Sequence, residues 1–188
     1  LIRNAAERLF LEKGFSATTM NEIGEVAEFS RATLYHYFPS KESIYVAILE
    51  RGMDKLTAET VRSLEAIQGA VAKIEQIKDV LVSFFRQKQN FFRLYFITRS
   101  EAMPYLGDEL SERLERKTKE LDEIFHQVYH DGMVAGELRP GDPVAMGDIF
   151  FAQIIGLMLL DTPEKLEPPL IDNVNRATSF FIENIRKK

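Results

Sequence analysis

The chain has 188 residues, 24 lysines and arginines against 29 aspartates and glutamates, a formal net charge of −5, 45% hydrophobic residues and no cysteine. Such a length fills one large domain or a small domain fused to a medium one. The missing cysteine excludes disulfides and thiolate metal sites and makes a reducing cytoplasm the expected compartment. No apolar run approaches the ~18 to 20 residues that cross a bilayer, and the acidic balance argues against nucleic-acid binding over the whole surface.

The first 50 residues set Arg3, Arg8, Lys13, Arg31 and Lys41 against seven glutamates. Any patch that touches phosphate there is small, which calls for two such heads acting together. In chain order, residues 1 to 13 place Ile2, Ala5, Ala6, Leu9 and Phe10 on one helical face, and Gly14 follows as a cap. Thr19 and Glu22 form a capping box that opens a short helix carrying Ile23 and Val26. Ser30 caps the next helix, which stops at Phe38 because Pro39 disfavours helical geometry before it. Ser40 then caps a fourth helix running to about Glu65.

Beyond that, the spacing predicts one long helix from Lys73 to Ser100, broken by Pro104 and Gly107, and another from Leu110 to His130, ended by Gly132 and Gly136. Val144 to Leu160 is apolar nearly all round. Pro169 to Arg186 is amphipathic, with Thr162 to Pro168 as the connection between the two. Strand-like alternation, internal repeats and low-complexity tracts are absent from the sequence. The expected fold is all-α: a three-helix helix-turn-helix domain over 1–45 and a larger helical bundle over 46–188.

The segment Asn21 to Phe38, reading NEIGEVAEFSRATLYHYF, has the layout of a helix-turn-helix. On a wheel, Leu34 and Phe38 share the face that packs on Ile23 and Val26, Ala32 and His36 point the other way, and Thr33 and Tyr35 flank them. Arg31 has the reach to bond guanine or phosphate. Ala32 allows close approach or a thymine-methyl contact, and Thr33 and His36 exchange hydrogen bonds with base edges or phosphate. Tyr35, Thr19 and Lys41 are placed for the backbone phosphates.

The block from Thr18 to Tyr45, together with Ala5, Leu9, Phe10, Lys13, Gly14 and Phe15 upstream, resembles the DNA-binding head of the TetR family of bacterial one-component repressors. The resemblance covers about the first 50 residues. It implies base or nearby phosphate contacts for Arg31, Ala32, Thr33 and His36, and backbone contacts for Tyr35, Tyr37, Thr19 and Lys41. It also implies repression rather than activation. Two positions depart from the usual pattern: Glu28 stands where a turn glycine is common, and Gly24 where the helix usually has alanine. A side chain in left-handed geometry costs ~1 kcal/mol or more, so a reshaped turn is expected; the helix glycine costs ~1 kcal/mol.

In the remaining chain, Phe84, Phe92, Tyr95, Phe96, Arg99, Met103, Phe125, Tyr129, Phe150 and Gln153 are the candidates for a pocket that takes an apolar or aromatic effector. Phe151, Ile155, Met158, Leu159, Val174 and Phe181 are the candidates for a homodimer interface of two helices from each subunit. Asp122, His126 and His130 recur every four residues and suit either a metal or a solvated polar stripe; no metal or cofactor is assigned. The expected partners are double-stranded operator DNA, a small-molecule effector and a second copy of the chain, and no membrane. Two rival readings are an enzyme built on the bundle around Asp122, His126 and His130, and a helical carrier that binds lipid or drug but no DNA.

Overall fold

A computed structural model describes residues 1–97, 99–160 and 170–187, with the side chains of 97, 99 and 170 also left outside the description. The connection expected over 162–168, and Pro169 at the start of the last helix, lie outside the described residues. Among the described residues there is no strand, only an isolated antiparallel bridge between Leu138 and Arg186. The expected all-α class is what the structure has.

Among the described residues ten α-helices run in order: α1 Ile2–Lys13, α2 Met20–Ala27, α3 Arg31–Tyr37, α4 Lys41–Leu64, α5 Ala70–Gln87, α6 Gln89–Phe92, α7 Arg99–Ala102, α8 Asp108–Val134, α9 Pro143–Leu159 and α10 Leu170–Ile185. The chain folds as two compact units, Leu1–Lys55 with Lys88–Thr118, and Leu56–Gln87 with Lys119–Lys188. Both α4 and α8 are continuous through the residues where one unit ends and the other begins.

In the first unit the aromatic rings of Phe10, Phe15 and Tyr45 meet at 5.3 to 5.8 Å between centroids, so α1, the loop after it and α4 share one core. The Tyr45 hydroxyl donates to the Leu94 carbonyl at 2.9 Å. Arg113 grips Glu50 with two bonds of 3.0 and 2.7 Å, the fork geometry that holds a carboxylate best. In the second unit α8, α9 and α10 pack through Tyr129, Phe150 and Phe181, while the carboxylate of Glu137 accepts from the Ala70 N–H at 2.7 Å, at the start of α5.

The single helix expected from Lys73 to Ser100 is not what forms. The structure has α5, a break at Lys88 (φ −128°, ψ 41°), α6, a π-helical turn over Arg93–Ile97, then α7 and a 3-10 turn at Met103–Tyr105. Neither proline nor glycine lies between Gln87 and Ile97, so no residue of the segment marks the break; just beyond it the buried Phe91 ring stands where a side chain at Gly52 would be. The expected end of the next helix also moves. Gly132 lies inside α8, where an added Cβ would stand 2.7 Å from Leu138 Cδ1 and closer still to Ala70, and the turn is made instead by Gly136 at φ 74°. Gly132 therefore serves close approach rather than termination.

Candidate nucleic-acid interface

Three helices of the head, α2, α3 and α4, each start on a side chain close in sequence. Thr19 Oγ1 accepts from the Glu22 N–H at 3.3 Å and the Glu22 carboxylate accepts from the Thr19 N–H at 2.8 Å, the reciprocal pair expected from the sequence. Ser30 Oγ accepts from Thr33 N–H at 3.2 Å, and Ser40 and Ser43 exchange bonds of 3.2 and 3.3 Å at the start of α4. These caps fix where α3 begins, and so which residues face outward. Leu34 is 1% exposed and anchors α3, with Phe38 half-buried beside it. Arg31, Ala32, Tyr35, His36 and Tyr37 are exposed and Thr33 is half-buried.

The turn between α2 and α3 keeps its left-handed residue without glycine. Glu28 sits at φ 59°, ψ 38°, and the Phe29 N–H closes back on the Gly24 carbonyl at 2.9 Å. The turn is therefore not reshaped: Glu28 itself takes up the strain. Gly24, read in the sequence as a weakness, is buried at a tight crossing, where an added Cβ would stand 3.3 Å from the Phe29 carbonyl oxygen and 3.4 Å from Leu34 Cδ2. Small size at that point lets α3 lie close on α2.

An open groove in the head is lined by Thr19, Asn21, Arg31, Tyr35, Ser40 and Lys41 among others, bringing the N-terminal ends of α2 and α4 to the side of α3. Two helix starts and a guanidinium suit a phosphate chain. The Arg31 guanidinium stands 5.6 Å from the centre of the Tyr35 ring, which holds it over the exposed face. Lys41 has a different employment. Its ammonium donates to the carbonyls of Phe15, Ser16 and Thr18 at 2.9, 3.2 and 3.0 Å and lies 4.6 Å from the Phe15 ring centre, so all three of its N–H bonds are taken up within the head. Thr19 is likewise engaged, its hydroxyl donating to Glu22 at 2.7 Å.

Two groups that sequence reasoning missed complete this loop. The carboxylate of Glu101 accepts from the Phe15 N–H at 3.2 Å, so Phe15, in the loop after α1, is held by Glu101 on its amide and by Lys41 on its carbonyl. Eighty-six positions separate Glu101 from Phe15, and no local signal links them. Lys13 bonds Glu22, and that contact, followed by the Thr19 bonds, holds the Glu22 carboxyl at about 2, well below the usual carboxylate range.

The remaining candidates fall into separate places. Phe92, Tyr95 and Phe96 form an aromatic stack in the first unit, where the Tyr95 hydroxyl meets Thr118 at 3.1 Å and Met103 is half-buried. Arg99 lies outside the described side chains. Phe84, Phe125, Tyr129 and Phe150 are buried in the second unit, with Gln153 half-buried there. Of the residues expected between copies, Ile155, Met158, Val174 and Phe181 are buried within one chain, Phe151 is half-buried on Phe125, and only Leu159 is exposed. On α9 and α10 the large apolar side chains presented are Val144, Ile149, Leu159 and Phe180, with Leu160 after α9; Val61 on α4 and Val134 at the end of α8 are exposed as well. The polar stripe divides: His126 Nε2 meets Asp148 at 3.2 Å and His130 Nδ1 meets Asp131 at 3.3 Å, while burial raises the Asp122 carboxyl. Among the described residues no cluster of three such groups is placed to hold a metal ion, and no helix is long and apolar enough to cross a membrane.

Residues 2–48 match the family model described as bacterial regulatory proteins, tetR family. The chain is 30% identical over 154 residues to the uncharacterized HTH-type transcriptional regulator YfiR of Bacillus subtilis, covering 80% of this chain and 72% of YfiR. It is 31% identical over 145 residues to the HTH-type transcriptional regulator RutR of Escherichia coli, covering 76% of this chain and 65% of RutR. Among solved structures, the TetR-family regulator PfmR of Thermus thermophilus superposes with a TM-score of 0.80 at 20% identity, covering 97% of each chain. AibR, in complex with isovaleryl coenzyme A and operator DNA, superposes with a TM-score of 0.77 at 19% identity, covering 95% of each. At those identities the structures speak to the fold.

Proposed function

This chain belongs to the TetR family of bacterial regulatory proteins, DNA-binding regulators of transcription, and from that membership we propose that it is a repressor that binds a pseudo-palindromic operator as a homodimer and is released by a small molecule. The observation that carries this reading is the outer face of α3, where Arg31, Ala32, Tyr35 and His36 stand exposed on a helix anchored by the fully buried Leu34. DNA binding is assigned to residues 1–45, and effector sensing and dimerisation to 46–188. Two copies set their α3 helices in successive major grooves, about 34 to 36 Å apart. The interface between copies is assigned to the exposed apolar residues of α9 and α10, Val144, Ile149, Leu159 and Phe180. Arg31, Ala32, Thr33 and His36 read base edges or nearby phosphates, with Tyr35 and Tyr37 on the backbone, while Thr19, whose amide and hydroxyl are bonded to Glu22, serves as the cap of α2 beside them. Lys41 acts by holding the loop that presents Thr19, since its ammonium is already bonded to three carbonyls. AibR was solved with an acyl-coenzyme A ester and operator DNA together, which supports joining a DNA site and an effector site on this fold.

The test is fluorescence anisotropy on duplex DNA from upstream of the chain's own gene, titrated at several salt concentrations. Wild type binds one sequence in preference to others, and its affinity falls as salt rises. Arg31→Ala costs ~1–3 kcal/mol, relaxes base preference and flattens the salt dependence by about one contact per head. Lys41→Ala weakens binding with the salt slope unchanged. Binding that ignores sequence, or an Arg31→Ala variant that binds like wild type, overturns the reading.

A further inference from the structure

Among the described residues three buried side-chain atoms meet no hydrogen-bond partner: the Tyr129 hydroxyl, the Gln153 amide nitrogen and the Thr178 hydroxyl. Tyr129 is 0% and Thr178 3% exposed, and all three belong to the second unit. A buried polar group without a partner is a standing cost, which an ordinary core avoids by using Phe, Leu and Val instead. Three such groups on three neighbouring helices call for a common cause.

Their heights along the bundle agree. The Arg139 N–H donates to the Ile185 carbonyl at 2.7 Å and the Lys187 N–H to the Glu137 carbonyl at 2.9 Å. The end of α10 therefore lies beside the segment that joins α8 to α9, so α9 runs antiparallel to both. The Phe150 and Phe181 rings, 5.2 Å apart, mark one level of this packing. Gln153 lies three residues forward on α9 and Thr178 three residues back on α10, which is one turn in the same direction. The Tyr129 ring touches both marker rings, at 6.4 and 6.0 Å, and helical side chains lean toward their own N-terminus. On α8 that lean carries the Tyr129 hydroxyl toward the level of Gln153 and Thr178.

The chemistry of an occupant follows from what surrounds them. Among the described residues no charged side chain is fully buried, and the half-buried Asp122, two turns earlier on α8, is a carboxyl that burial pushes toward its neutral form, so an anion would arrive there without a counter-charge. Burial also drives the Tyr129 phenol upward, keeping it a neutral donor. The Gln153 nitrogen only donates, and each hydroxyl can donate, so the missing partner is an acceptor oxygen. We propose that Tyr129, Gln153 and Thr178 form the polar end of an effector site for a small neutral carbonyl compound whose aromatic or alkyl body packs on Phe150 and Phe181. The site rests on the effector-sensing reading given above and names the class of molecule sensed.

The full chain is titrated by calorimetry and thermal shift with three probes of one size: acetophenone, which carries the acceptor, ethylbenzene, which lacks it, and benzoate, which is charged. Acetophenone is expected to bind saturably and raise Tm, with ethylbenzene at least tenfold weaker and benzoate without effect. Tyr129→Phe and Thr178→Val are expected to fold with an equal or higher Tm, because each removes an unmet polar atom, and to lose acetophenone affinity at least tenfold; Gln153→Met provides a third variant. Equal binding of ethylbenzene, a preference for benzoate, unchanged affinity in the variants, or no saturable binding because the three atoms share an ordered water only, each overturns the site. Anisotropy on operator DNA separates the two readings. Specific DNA binding with no acetophenone site leaves the regulator standing without this pocket, whereas acetophenone binding in a chain that ignores DNA leaves the pocket without the regulator.

Discussion

In the head, α2, α3 and α4 each begin on a hydroxyl that bonds an amide three residues away, at Thr19, Ser30 and Ser40. Long-range bonds occur in both units, from Phe15 to Glu101 in the first, and in the second from Glu137 to the start of α5 sixty-seven residues earlier and from Arg139 to the end of α10. The head leaves none of its buried side-chain polar atoms without a partner among the described residues, whereas the second unit leaves three. Under the proposed function this difference has a use: hydroxyl caps fix which face of α3 is turned outward, and unmet polar atoms are what a site for a second molecule would need.

Close helix packing is common to both units, and one added methyl group tests it in each. At Gly132 the neighbours of a new Cβ are the Ala70 methyl and Leu138; at Gly52 the neighbour is the Phe91 ring, itself buried against Phe92 and Tyr95. Gly132→Ala and Gly52→Ala are each expected to lower stability by ~1–3 kcal/mol despite alanine's better helix propensity. Chemical denaturation of the two variants measures both. A variant at least as stable as wild type would show that its site yields to a methyl group.

The contrast also explains what could be read from the sequence. Thr19 with Glu22, Ser30 before a short helix, and Leu34 spaced for burial are local patterns, and the head formed as they required. The break at Lys88 carries no local mark in proline or glycine, and the fit of the Phe91 ring against Gly52, thirty-nine positions away, is a non-local one. Glu101 was invisible for the same reason. Apart from Arg99 and Gln153, the candidate pocket and interface residues are apolar, a property that core, pocket and interface share. Val174 and Phe181 went into the core while Ile149 and Phe180 were left outside, a division that depends on helix rotation. Gly24 and Glu28 are separate departures in the sequence, but the structure couples them through the Phe29 bond to the Gly24 carbonyl. Glu28→Gly tests how much strain the head's turn holds: relief of the left-handed side chain, less the added freedom of the unfolded glycine, leaves a gain of ~0.5–1 kcal/mol in denaturation. Tighter operator binding is expected too, because an acidic group beside the phosphates is removed. A loss of stability would show that Glu28 makes a compensating contact.

The smallest expected effect belongs to the cap of α2, and it sharpens the contrast because it depends on charge alone. Lys13 and Thr19 hold the Glu22 carboxyl at about 2, below its ordinary 4.5. A carboxyl whose folded value is depressed contributes stability that is fully present above the ordinary value and is lost as pH falls toward the folded one. Glu22→Gln keeps the capping hydrogen bonds and removes the charge. The stability difference between wild type and Glu22→Gln is therefore expected to be constant from pH 7 to about 5, then to shrink between about 4.5 and 2. Because the group is exposed, added salt should reduce the difference at pH 7 as well. A difference that ignores both pH and salt would mean that the cap is held by hydrogen bonds alone, with the Lys13 charge contributing nothing to the start of α2.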